Sequence, residues 1–109
     1  MSKIHYTYIV TYDIKEDENN IVRDNFRNKL IATFQATMLS ESTYAFSSTN
    51  GVSKIKSTII SSYDSAYKDN NKTPNTEDKV WLVCADKKAD PNTQNPYELA
   101  CYKLNFKKN

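Results

Sequence analysis

Apolar positions along the chain switch between a two-residue and a four-residue period, and that switch marks the elements. Ile4, Tyr6, Tyr8, Val10, Tyr12 and Ile14 share one parity, alternating with His5, Thr7, Ile9, Thr11 and Asp13. Strict alternation with β-branched and aromatic residues predicts a strand over 4–14. Asp and Asn in the polar run 15–20 offer helix N-caps. Val22, Phe26, Leu30 and Phe34 then recur every fourth residue, with Ile21 and Ile31 widening the stripe. This predicts a helix over 21–34, uninterrupted by Gly or Pro. Residues 35–40 and 42–48 read as two short strands joined tightly near Glu41, or as one bent strand. Asn50-Gly51 makes a turn, the one position where the chain uses glycine. Val52, Ile55, Ile59, Tyr63 and Ala66, flanked by Ile60 and Tyr67, predict a second helix over 52–67 with Ser53 as its N-cap. Residues 68–78 form a solvated loop. Val80–Asp86 is apolar on both parities, as in a central strand. A polar loop at 87–96 leads to a last strand over 97–106.

The order is β-α-β-β-α-β with one more strand at the C-terminal end. Two helices of similar length, each following a strand, must both bury an apolar stripe. One antiparallel sheet with both helices on one face achieves this, which is the ferredoxin-like split β-α-β arrangement of the α+β class. The whole chain, 1–109, reads as one such domain. The other face of the sheet is left open, and a symmetric homodimer is the usual way to cover it.

Composition narrows the chemistry. Gly51 is the single glycine in 109 residues, which excludes Gly-rich phosphate loops. A net charge of +2 is too small to imply nucleic-acid binding by itself. Arginine occurs at positions 23 and 27 alone, and the chain is rich in Lys and Asn. Cys84 and Cys101 lie in apolar runs as reduced core thiols, and His5 with two distant thiols makes no zinc site. The N-terminal segment lacks the unbroken apolar stretch of a signal peptide, and no run is long enough to span a bilayer. The expected setting is soluble and cytoplasmic.

Candidate functional residues are few. Arg23 and Arg27 stand one helical turn apart and form either a phosphate clamp or a solvated pair balanced by Asp24. Tyr6, Tyr8, Tyr12, Tyr44 and Tyr102 form either a stacking surface for single-stranded nucleic acid or a dimer interface. Asp13 closes the first strand as an acid that caps the following helix or faces water. Trp81 belongs to the core or an interface, and His5 to a sheet face. Lys103, Lys107 and Lys108 make a weakly basic end.

The chain resembles the CRISPR-associated protein two family and its relatives such as virulence-associated protein D. The resemblance rests on Tyr12-Asp13-Ile14 closing the first strand, then the charged loop and Arg-bearing helix KEDENNIVRDNFRNKL. It continues through Ser42-Thr43-Tyr44-Ala45-Phe46-Ser47 and the strand Asp78-Lys79-Val80-Trp81-Leu82-Val83, covering about residues 4–86. It implies a ferredoxin-like homodimer whose last strand docks on the partner's sheet. It implies that Asp13 from each of two chains holds a divalent cation such as Mg2+; Ser42 and Thr43 either assist near that ion or are ordinary strand residues. Oxygen ligands suit that ion, and a metal-bound water can attack a phosphodiester. Asp13 is thus the expected catalytic and metal-binding residue of an endonuclease acting on RNA or DNA, and Arg23 and Arg27 the expected nucleic-acid contacts. A non-catalytic role beside an integrase, or as a protein- or nucleic-acid-binding module, is the alternative. The loops at 68–78 and 87–96 are longer than in compact members of the family, and basic clusters are thinner.

Overall fold

The computed structural model describes residues 6–15, 20–86 and 98–104. Seven elements follow in order: β1 (Tyr6–Asp13), α1 (Ile21–Phe34), β2 (Thr37–Ser40), β3 (Thr43–Ser48), α2 (Val52–Lys68), β4 (Lys79–Asp86) and β5 (Glu98–Lys103). They form one five-stranded antiparallel sheet in the order β2-β3-β1-β4-β5, so the fold is ferredoxin-like α+β with an added C-terminal strand. The stretch 35–48 is two strands, with a register shift between Met38 and Ser40. The predicted last strand is seen over Glu98–Lys103. His5, Lys107, Lys108 and the predicted loop at 87–96 lie outside the described residues.

Strand pleating decides what is buried, because successive side chains point to opposite faces. The even parity of β1 faces the helices: Tyr8, Val10 and Tyr12 are buried. Tyr44 and Phe46 of β3 and Val80, Leu82 and Cys84 of β4 complete that layer. Above it lie Val22, Phe26 and Leu30 of α1 and Ile55, Ile59, Tyr63, Ala66 and Tyr67 of α2, the stripes foreseen from the four-residue period. Rings knit the layer together: Phe34 stacks on Phe46 at 4.1 Å, and Tyr12 meets Phe26 edge-on at 5.0 Å. The opposite face carries Thr7, Ile9, Thr11, Asp13, Thr43, Ala45, Trp81 and Val83, all half-buried or exposed.

Two expectations about this sheet are overturned. Tyr8, Tyr12 and Tyr44 are not surface residues, because their parity is the helix-covered one; Tyr8 and Tyr12 are 1% and 4% exposed. The aromatic strip that suggested stacking or dimerisation is mostly core, and Tyr6 is half-buried against it. The added strand β5 pairs with β4 of its own chain, Tyr102 opposite Leu82 and Cys101 opposite Val83. An antiparallel neighbour needs only a local connection, so no partner's sheet is required to seat it.

Gly51 also differs from expectation. It stands at the N-cap of α2 with φ −73° and ψ 168°, extended backbone that any residue adopts. Ser53 is inside the helix and is not its cap. Left-handed backbone occurs instead at Asn20, Gln35 and Asn71. Asn20 and Gln35 flank α1, and Asn20 makes no side-chain cap bond.

Candidate functional site

The end of β1 splits the candidate residues between two faces. Asp13 is the last residue of β1 and lies on the parity opposite the helices. Its side chain is 57% exposed, and its carboxylate is 3.1 Å from the Lys15 ammonium. Lys79 is its cross-strand neighbour on β4. One carboxylate bridged to one lysine and placed opposite another is a poor donor set for a divalent cation. No group of three or more His, Cys, Asp or Glu gathers among the described residues. Among the described residues Asp13 belongs to no such group, so a shared site would draw on Asp13 of a second copy. Thr43 lies on the same face, its hydroxyl 3.1 Å from that of Thr11. The Ser42 carbonyl accepts from the Tyr12 amide at 3.0 Å.

Arg23 and Arg27 project from the first turns of α1 on the helix side. They line a cleft of about 220 Å3 together with Tyr12, Asp24, Met38 and Glu41. Asp24 lies between them, 3.9 Å from Arg23 Nε and 3.5 Å from Arg27 Nη1. These contacts are longer than the ~2.8 Å of a strong charge-assisted hydrogen bond. Both arginine side chains are 37% exposed. The α1 spacing thus brings the two guanidinium groups to one concavity, as the phosphate-clamp reading requires. The structure does not bring Asp13 to them, since Tyr12 and Asp13 are consecutive on a pleated strand.

The Tyr12 hydroxyl is the feature that sequence reasoning missed. It is buried and has no hydrogen-bond partner among the described residues. Its ring is parallel to that of Tyr44, 6.1 Å away, but the two hydroxyls do not reach hydrogen-bond geometry. Tyr44 turns its hydroxyl to the Glu41 carbonyl at 3.4 Å. Burial, and then the neighbouring Tyr44, push the Tyr12 ionisation well above the usual tyrosine range, opposed in part by Arg27 and Arg23. The group is therefore a neutral hydroxyl within the field of two cations.

A second polar cluster is fully bonded. Asp78 accepts from the Tyr63 hydroxyl at 2.6 Å and from the Tyr67 hydroxyl through one carboxylate oxygen, and from the Lys15 amide at 2.6 Å through the other. Asn75 donates to the Lys15 carbonyl at 2.6 Å. The long 68–78 connection is thereby pinned to the end of β1. Burial first, and then Asp78, raise both tyrosines above their ordinary range. Tyr63 and Tyr67 are one turn apart on the core stripe, and that spacing was the available signal for a shared acceptor.

No family model, curated protein or solved structure matches the chain. No described helix is long and apolar enough to cross a membrane.

Proposed function

We propose that the protein is a nucleic-acid-associated homodimer, similar in this to the CRISPR-associated protein two family. The observation that carries the reading is the convergence of Arg23 and Arg27 on one cleft of α1. Guanidinium pairs suit phosphate because their donors match its oxygens in geometry and charge. The homodimer finds support in the helix-free face, where Ile9, Ala45, Trp81 and Val83 are half-buried. Asp13 lies on that same face; in the enzymatic form of the reading, Asp13 from two copies would hold Mg2+, which would supply an activated water for cleavage of RNA or DNA. A structural role beside a protein such as an integrase is the non-catalytic form.

Binding of single-stranded RNA, single-stranded DNA and duplex DNA, measured by fluorescence anisotropy at stepped salt, tests the core of the proposal. Affinity should fall with salt, and Arg23→Gln/Arg27→Gln should reduce the logarithmic slope by about 1.4 on single strands and about 1.8 on duplex. Binding that ignores salt, or that the double variant leaves intact, would overturn it. Incubation with Mg2+ separates the two forms: cleavage by the native chain and none by Asp13→Ala supports the nuclease. Equal cleavage by both, or none by either, removes it.

A further inference from the structure

Tyr12 presents a contradiction that a ligand resolves. A buried hydroxyl without a partner is destabilising relative to one that is satisfied. Phenylalanine would fill the same space between Phe26 and Tyr44 without that cost. Tyr12 lines the cleft to which Arg23 and Arg27 also contribute. Those side chains are half-exposed and belong to one helix face, so they can adjust around a guest without disturbing the core. Among the described residues Arg27 meets Asp24 at 3.5 Å through Nη1, and its guanidinium has further N–H donors to offer a ligand.

We infer that the Tyr12 hydroxyl, Arg23 and Arg27 form a discrete subsite for one phosphoryl group. The two guanidinium groups donate from the walls, and the Tyr12 hydroxyl, occluded in the empty cleft, donates once they move apart around the guest. The inference rests on the proposed role of the two arginines and deepens it. An open basic groove tracks a backbone, whereas this cleft encloses one anionic group. Its paired guanidinium groups suit a guest with several acceptor oxygens around one centre. Asp24 already lies against both arginines, so an incoming anion must outcompete a carboxylate. A phosphoryl group does so with its extra acceptor oxygens, which a carboxylate or chloride lacks. Burial keeps the Tyr12 hydroxyl protonated at neutral pH, so it can donate to a bound anion.

The phosphoryl group can come from a terminal monoester or from an internal diester, and the experiment separates them. Inorganic phosphate, acetate, and matched oligonucleotides bearing a 5′-phosphate or a 5′-hydroxyl are titrated into the native chain and three variants by calorimetry. Thermal unfolding of each variant is recorded in parallel. Phosphate should bind and acetate should not. Tyr12→Phe should weaken phosphate binding about tenfold while leaving the unfolding temperature unchanged or higher, a split that a purely structural hydroxyl would not give. Arg27→Gln, a surface change, should weaken binding at least as much. Asp24→Asn should tighten binding several-fold by removing the competitor. A 5′-phosphate preference assigns the source as a terminal monoester; equal binding of both oligonucleotides, lost together in the variants, assigns an internal diester. Absence of phosphate binding, or binding that Tyr12→Phe and Arg27→Gln leave unchanged, overturns the inference. Nucleic acid bound without a phosphate response would leave the proposed function standing and remove the subsite. Phosphate bound without nucleic acid would do the reverse.

Discussion

Individual residues in this chain are placed less by local conformational need than by what surrounds them. The lone glycine is the clearest case. Gly51 caps α2 in extended backbone, and a Cβ there would meet nothing within 4 Å. A serine at this position can accept from a first-turn amide and restricts the unfolded chain. Gly51→Ser should therefore stabilise the protein by about 0.5–1 kcal/mol in denaturant unfolding, and a loss of stability would contradict the extended geometry. The reverse holds at Gln35, which closes α1 at φ 54° and ψ 42° and donates its amide to the Ile31 carbonyl at 2.8 Å. Glycine accepts that conformation without the Cβ clash. Scarcity of glycine thus reflects left-handed positions occupied by Asn and Gln, and a glycine placed where none is required.

At the scale of elements, the long connection after α2 is held by a few polar atoms. Asp78 links α2 to Lys15, two residues beyond β1, through Tyr63, Tyr67 and the Lys15 amide. Asn75 holds the other backbone group of Lys15. Asp78→Ala removes the common acceptor and leaves two buried hydroxyls competing for water. We expect a loss of about 2–3 kcal/mol by urea unfolding. The same substitution in a Tyr63→Phe/Tyr67→Phe background should cost far less, because the stranded donors are gone. Equal costs in both backgrounds would mean that the carboxylate does not act through the tyrosines. The helix α1 shows a related division of labour: Val22, Phe26 and Leu30 bury its inner stripe, while Arg23 and Arg27 use the flank beside β2.

For the molecule as a whole, three core tyrosines set the alkaline limit of stability. Burial raises Tyr12, Tyr63 and Tyr67 above the ordinary value of 10.0, with hydrogen bonding at Asp78 adding to the last two. A group whose folded ionisation lies higher than its unfolded one stabilises the protein fully below the unfolded value. That contribution is lost as the pH rises above 10. Stability should be level to about pH 9 and then fall, with these three groups together contributing a slope approaching about 4 kcal/mol per pH unit. Unfolding followed between pH 8 and 11 checks this, and Tyr63→Phe/Tyr67→Phe should flatten the decline. An unchanged slope in that variant would show the alkaline loss to arise elsewhere.

Hydrophobic periodicity by itself determined the elements and their order. The four-residue stripes of α1 and α2 and the alternation in β1 and β4 are written in apolar positions, because burying one side of an element demands that spacing. From the order alone, the α+β architecture with both helices on one face follows. What only the tertiary structure decided is which face each strand turns to the helices. Alternation separates two parities without saying which is covered, so Tyr8, Tyr12 and Tyr44 could be read as surface when they are core. The same ambiguity hid the separation of Asp13 from Arg23 and Arg27. It also hid the Tyr12 hydroxyl, since a missing hydrogen-bond partner is a property of packed neighbours distant in sequence. Asp78 was legible only as one acid in a polar loop; its three donors come from positions 15, 63 and 67, which the fold alone brings together.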